Sequence, residues 1–199
     1  MKFFCLLIVM VTMACGLKRN NDAEQSARAD SLQLLSTVET VSRSEEDEHL
    51  DSIDFEALGY GLMNSETIGP FCVGLEVAKL IENLGQPGTK MERIMWPGDG
   101  EYHQTLIYPD QGLEFDMIGE TDQMQTVNAI SMNAPCKFKT SKGVGIGCCY
   151  NHVVQIYKDY VNPSFSSTDV LVAGSLYGGV IFNFEGGVLQ AVFIGAQAE

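Results

Sequence analysis

Apolar residues recur at helical spacing in two places along the chain. Val77, Leu80, Ile81 and Leu84 stand at i, i+3, i+4 and i+7, a stripe on one face of a helix that Gly85 and Pro87 bring to an end. Val153, Ile156, Tyr157 and Tyr160 repeat the spacing. Behind the first stripe come segments that read as strands, several with apolar and polar residues alternating as in a strand with one buried face. "MERIMWP" runs to a Pro97-Gly98-Asp99-Gly100 turn, "YHQTLIYP" to Asp110-Gln111-Gly112, and "LEFDMIG" and "TVNAISM" follow. Behind the second stripe come "GVIFNFEG" (179–186) and "VLQAVF" (188–193), with Gly178-Gly179 and Gly186-Gly187 as turn formers.

Laid over one another, the two stretches agree in order and spacing. Phe115 falls on Phe182, Met117 on Phe184, Val127 on Leu189, Ala129 on Ala191 and Ile130 on Val192. The pattern predicts an α+β fold, a tandem repeat of a helix plus an antiparallel β-meander with the helices packed on one face of the sheet. One copy of ~65 residues buries little core, whereas two side by side share one. The expected copies are residues 64–133 and 134–199. Alternation sets Glu114, Asp116, Asn183 and Gln190 opposite the core positions Phe115, Phe182, Phe184 and Leu189, so the other face is expected to be open, polar and somewhat acidic.

Ahead of this body the pattern changes. Lys2 followed by the apolar run Phe3 to Met13 reads as an export signal over residues 1–14, too short to span a bilayer, which takes ~20 residues. "VTMAC" resembles a bacterial lipobox, with Cys15 as the lipid-attachment residue. Residues 15–63 are polar and read as a lipid-anchored tether, with a short helix conceivable around 22–42. The acidic run from Glu45 to Glu56 lacks the glycine turn and ligand alternation of a calcium loop and reads as a solvated spacer. A formal charge of -14 argues against a nucleic-acid partner, and leaves the N-terminal lipid as the only expected membrane contact.

The order "GLEFDM", "TVNAISM", "KTSKGVGIGCCYNHVVQIY" and "GGVLQAVFI" resembles envelope lipoproteins built from β-lactamase-inhibitory-protein-like (BLIP-like) repeats, a fold shared with the small lipoprotein of the outer-membrane β-barrel assembly machinery. The resemblance covers residues 66 to 196. It implies a non-enzymatic module, on the outer membrane facing the periplasm or the cell surface, that binds another envelope protein or acts like an inhibitor. A binder of a small hydrophobic ligand between sheet and helices is the alternative.

Candidate chemistry is sparse. "GVGIG" (143–147) has neither phosphate-loop spacing and reads as a turn entering a helix. Cys72, Cys136, Cys148 and Cys149 remain beside Cys15 after processing, and the expected disulfide joins Cys136 to Cys148 or Cys149, with buried free thiols the other reading. No metal-ligand spacing and no cofactor motif occurs. His49, His103 and His152 share no local ligand spacing, and Cys148 with His152 lacks an orienting third group, so no catalytic residue is assigned. Trp96 belongs either to the core or to a partner-binding loop tip. Trp96, Tyr102, Tyr108, Glu114, Asp116 and Asn183 are the candidate partner-binding residues.

Overall fold

In the computed structural model, residues 53–197 are described. The expected signal peptide, Cys15, the helix around 22–42 and the tether up to residue 52 lie outside the described residues.

The first described element lies inside the expected tether. Phe55–Ser65 form helix α1, capped by Asp54, whose Oδ1 accepts from the Ala57 amide at 2.9 Å. Phe55, Leu58, Leu62 and Glu66 share one side of it, and Leu62 is in the core. Gly59 on the same side lets the backbones meet, because a Cβ there would overlap the Gly178 carbonyl oxygen. The body therefore begins at Asp54, and Asp54–Glu199 is one compact unit.

Helix α2 (Val77–Leu84) ends where expected, at Gly85 with φ 79°. Strands β1 (Thr89–Lys90), β2 (Ile94–Met95), β3 (Tyr102–Tyr108), β4 (Leu113–Ile118) and β5 (Thr126–Asn133) follow. Then come helix α3 (Tyr150–Tyr157) and strands β6 (Val170–Ser175), β7 (Gly178–Glu185) and β8 (Val188–Gly195). The eight strands form one antiparallel sheet in the order β1-β3-β4-β5-β8-β7-β6, with β2 on the same outer side of β3 as β1. Between the pairs Thr89–Ile107 and Ile94–His103 the outer strand takes one more residue than β3, a bulge at 91–93.

Some bonds recur in both halves. Glu76 bridges Thr126 just ahead of α2, and Cys149 bridges Val188 just ahead of α3. The Gly74 amide donates to Val127 O at 2.7 Å and the Gly147 amide to Leu189 O at 2.9 Å. The register shifts after Asp116 in β4 and after Asn183 in β7. By these bonds Val77 corresponds to Tyr150 and not to Val153. The expected pairing of Val77 with Val153 therefore differs from these bonds by one helical turn, because Cys149 starts the second helix at the β8 edge.

Two rows of core residues cross the sheet. Leu106, Phe115, Ile130, Ile194, Val180 and Ala173 are successive cross-strand neighbours, as are Tyr108, Leu113, Met132, Val192, Phe182 and Leu171. All are buried and pack with Leu62, Val77, Leu80, Val153 and Tyr157 of the helices. Burying each large apolar side chain contributes about 1.5–3 kcal/mol.

The other face is mixed. Glu114 and Asn183 are exposed and Asp116 half-buried there, but Val172, Ile181 and Ala129 are buried on it, outside the main core cluster. Strand β6 is apolar on both sides, "VLVAG", which alternation does not flag. Gly178 and Gly179 do not form a turn. They open β7, where Gly178 receives the Tyr60 ring, while Leu176 and Tyr177 make the turn. Gly186 and Gly187, with φ 57° and 76°, turn β7 into β8 as expected.

Candidate functional site

The outer edge of the sheet at β1–β2 carries a group of exposed large apolar side chains. Met91, Ile94, Met95 and Trp96 are 51%, 57%, 50% and 42% exposed, on or beside the short strands β1 and β2, which among the described residues pair only with β3. Met124, in the loop before β5, is 69% exposed. Large apolar side chains clustered on one edge are uncommon on a protein that stays alone.

Beneath Trp96 lies a polar cluster. Trp96 stacks flat on His103, ring centroids 3.8 Å apart and planes 6° from parallel. His103 is 3% exposed, and each of its ring nitrogens meets a carboxylate: Nε2 is 2.8 Å from Asp99 Oδ2 and Nδ1 is 2.8 Å from Asp116 Oδ2. Asn128 Nδ2 donates to the same Asp116 oxygen at 2.9 Å. Burial by itself would lower the His103 pKa, but the bonds to Asp99 and Asp116 outweigh it and hold the imidazole above its ordinary value. The Asp99 carboxyl sits below the usual range, held first by the Glu101 amide and then by His103. The Asp99 Oδ1 to Glu101 amide bond, 3.0 Å, closes the turn that β2 enters and β3 leaves.

Nearby, Lys90 Nζ lies 2.7 Å from Asp122 Oδ2, and Arg93 donates to Glu120 O at 2.6 Å while its guanidinium sits 5.1 Å from the Tyr102 ring centroid. Behind Lys90 and Asp122 a cavity of about 310 Å³ opens between α2 and the sheet, walled by Val77, Ala78, Ile81, Pro87, Leu106 and Gln125 among others. Gln125 is buried, donates from Nε2 to Gln104 Oε1 at 3.2 Å, and its own Oε1 has no hydrogen-bond partner among the described residues.

The expected site residues separate. Trp96 is not a core residue: it is 42% exposed, directly after β2, an exposed edge strand of two residues. Tyr102 is half-buried under Arg93. Tyr108 cannot contact a partner: it is 1% exposed, on the helix-facing row of β3, and its hydroxyl donates to Gly85 O at 3.2 Å. Asp116 joins Trp96 through His103. Glu114 is exposed on the same strand, whereas Asn183 stands on β7, with β5 and β8 between it and β4. His103, Asp99 and Asn128 carry no motif. Asp99 and His103 are four residues apart, but Asp116 is placed beside them by strand register alone.

Cys72, Cys136, Cys148 and Cys149 are free thiols, so the expected bridge from Cys136 to Cys148 or Cys149 is not formed. Cys136 packs into the core, where burial pushes its thiol pKa up, while the extended backbone at 148–149 turns Cys149 outward. Among the described residues no group of three or more His, Cys, Asp or Glu is arranged to hold a metal ion, and no helix is long and apolar enough to cross a membrane. Comparison with protein-family models, curated proteins and solved structures finds no match to this chain.

Proposed function

We propose that this chain is a non-enzymatic envelope lipoprotein, anchored through Cys15 on the outer membrane, whose body docks an extended segment of another envelope protein along the β1–β2 edge. The observation that carries this reading is the exposed group Met91, Ile94, Met95 and Trp96, on or beside strands whose other side is unpaired among the described residues. The bulge at 91–93 interrupts the outer ladder, a device that keeps sheet edges from pairing indiscriminately, so side chains carry the selection. With a formal charge of -14, the chain favours a partner segment in which Lys or Arg accompanies apolar residues. The body is a tandem repeat of the BLIP-like kind. The paired bridges at Glu76 and Cys149 and the bulges in β4 and β7 support that reading.

A photo-crosslinking residue at Met95, in intact cells, is expected to capture one dominant protein, and Ile94→Lys to abolish the capture. Equal labelling from the exposed position Glu185 would end the docking reading. Labelled palmitate should enter the wild type and not Cys15→Ser.

The cavity beside α2 supports a second reading, a small apolar ligand held between helix and sheet. Native mass spectrometry of protein purified from cells would show a bound molecule that Ile81→Trp excludes. A bare mass in the wild type counts against it.

A further inference from the structure

A neutral imidazole has one N–H and one lone pair, so it can donate to only one of two carboxylates. At His103 both nitrogens face carboxylate oxygens at 2.8 Å, and the geometry is satisfied only when both carry protons. The two anchors differ. Asp116 sits on β4, which is paired on both sides, and also accepts from Asn128. Asp99 sits in a turn, its side chain 33% exposed, and among the described residues its carboxylate reaches the body only through His103, its other oxygen bonding within the turn at Glu101. The turn between Trp96 and Glu101 is otherwise closed on itself, with the Trp96 amide donating to Glu101 O and the Gly100 amide to Trp96 O, each at 2.9 Å.

We propose that Asp99, His103 and Asp116 form a proton-operated latch: with both ring nitrogens protonated, His103 holds the Trp96–Glu101 turn down on β3, and loss of the Nε2 proton releases Asp99 and lifts Trp96 off the imidazole. The proton that leaves is the one on Nε2, because Asp116 is fixed and keeps Nδ1–H. The Nε2 lone pair then faces an Asp99 carboxylate with no proton between them, and the exposed member of the pair moves away. Among the described residues the charged groups acting on His103 are Asp99 from the turn and Asp116 from β4. Ile94 of β2 and Ile118 of β4 flank it in register and are apolar, and Asn128 of β5 reaches it only through Asp116. The latch stands on these contacts and operates whether or not the edge docks a partner. It would set the disposition of Trp96, at the end of the apolar row, by the acidity of the compartment.

The sign follows from the raised pKa. The closed turn is fully favoured below about 6.5, the ordinary histidine value, and is lost as pH rises through the higher value of the folded protein.

Trp96 is the only tryptophan in the chain, so intrinsic fluorescence reads the latch directly. In the full chain, acrylamide quenching of Trp96 is expected to rise roughly twofold in a one-proton step as pH goes from about 5.5 to about 9, with a midpoint above about 6.5. In Asp99→Ala, a surface-turn substitution that leaves Nε2 without a partner in the turn, the quenching should be high at every pH and the step lost, with unchanged far-ultraviolet circular dichroism. His103→Gln should give a flat profile. Two results would overturn the latch. One is emission that changes with pH while acrylamide access stays constant, which is quenching by the charge alone. The other is an NMR titration in which His103 deprotonates, or holds its charge throughout, with Trp96 access unaltered. If His103→Gln fails to fold, the Asp99→Ala comparison decides by itself.

Discussion

The Tyr157 hydroxyl donates to Glu66 Oε2 at 2.9 Å, tying the residue that ends α1 to the last residue of α3 across 91 positions of sequence. Glu66 is 1% exposed and also accepts from the Ser141 amide at 2.7 Å, the Ser141 hydroxyl, and the Thr67 amide at 3.2 Å. Thr140 Oγ1 lies 2.9 Å from the Tyr157 hydroxyl. Burial pushes the phenol well above its ordinary pKa, so it remains a donor at every physiological pH. Tyr157→Phe removes one donor from a buried carboxylate that keeps its others. It should destabilise by about 1–3 kcal/mol, read as a lower urea midpoint at unchanged slope.

Close backbone approach at Gly59 makes a sharp prediction about α1. A Cβ there overlaps Gly178 O and falls 2.8 Å from the Ser175 amide nitrogen, both backbone atoms that cannot turn aside. Gly61 on the opposite side meets nothing within 4 Å. Gly59→Ala should therefore cost about 1–3 kcal/mol and expose the α1 amides to hydrogen exchange. Gly61→Ala should be stabilising by up to about 1 kcal/mol, since alanine is the better helix former.

Alternation along β4 can be tested at adjacent residues. Phe115 is fully buried and packs edge-on against Phe71 at 5.4 Å, while Glu114 is exposed. Phe115→Ala should destabilise by about 3–5 kcal/mol, and Glu114→Ala should stay within about 0.5 kcal/mol of the wild type, both measured by thermal unfolding.

The thiols should react in order of access. Cys149 is exposed and Cys136 is 6% exposed with a raised thiol pKa. Under native conditions an alkylating reagent should mark Cys149 within minutes and Cys136 only after unfolding, as followed by peptide mass spectrometry. Resistance of Cys149 to the reagent, reversed by reductant, would mean that it is bridged.

Much of the sheet was legible from local pattern. Phe115, Met117, Phe182, Phe184 and Leu189 are core because strands with period-two patterning need a cover for one face. The stripe of α2 and the glycines at 85, 186 and 187 are likewise local signals read correctly. Helix α1 had such a signal too: Phe55, Leu58 and Leu62 share a face behind the cap Asp54, but they sit in an acidic stretch that reads as solvated chain. Strand β6 escaped because a run apolar on both faces has no period. Tyr108, expected among the partner-binding residues, is in the core, and Trp96, left open between core and loop tip, is exposed, since residue type does not say which strand lies at an edge.

Periodicity and turn chemistry by themselves determined the α+β class, the strand-rich order after each helix and the core positions within β4, β5, β7 and β8, because these depend on neighbours a few residues away. Only the tertiary structure decided which strand stands at the open edge, that α1 closes on Gly178, and that Asp99, His103 and Asp116 meet under Trp96. Those outcomes depend on strand register, which pairs residues such as His103 with Ile118 and so sets Asp116 beside the imidazole. Register is chosen by burial summed over the whole sheet, and no short stretch of the chain contains that sum.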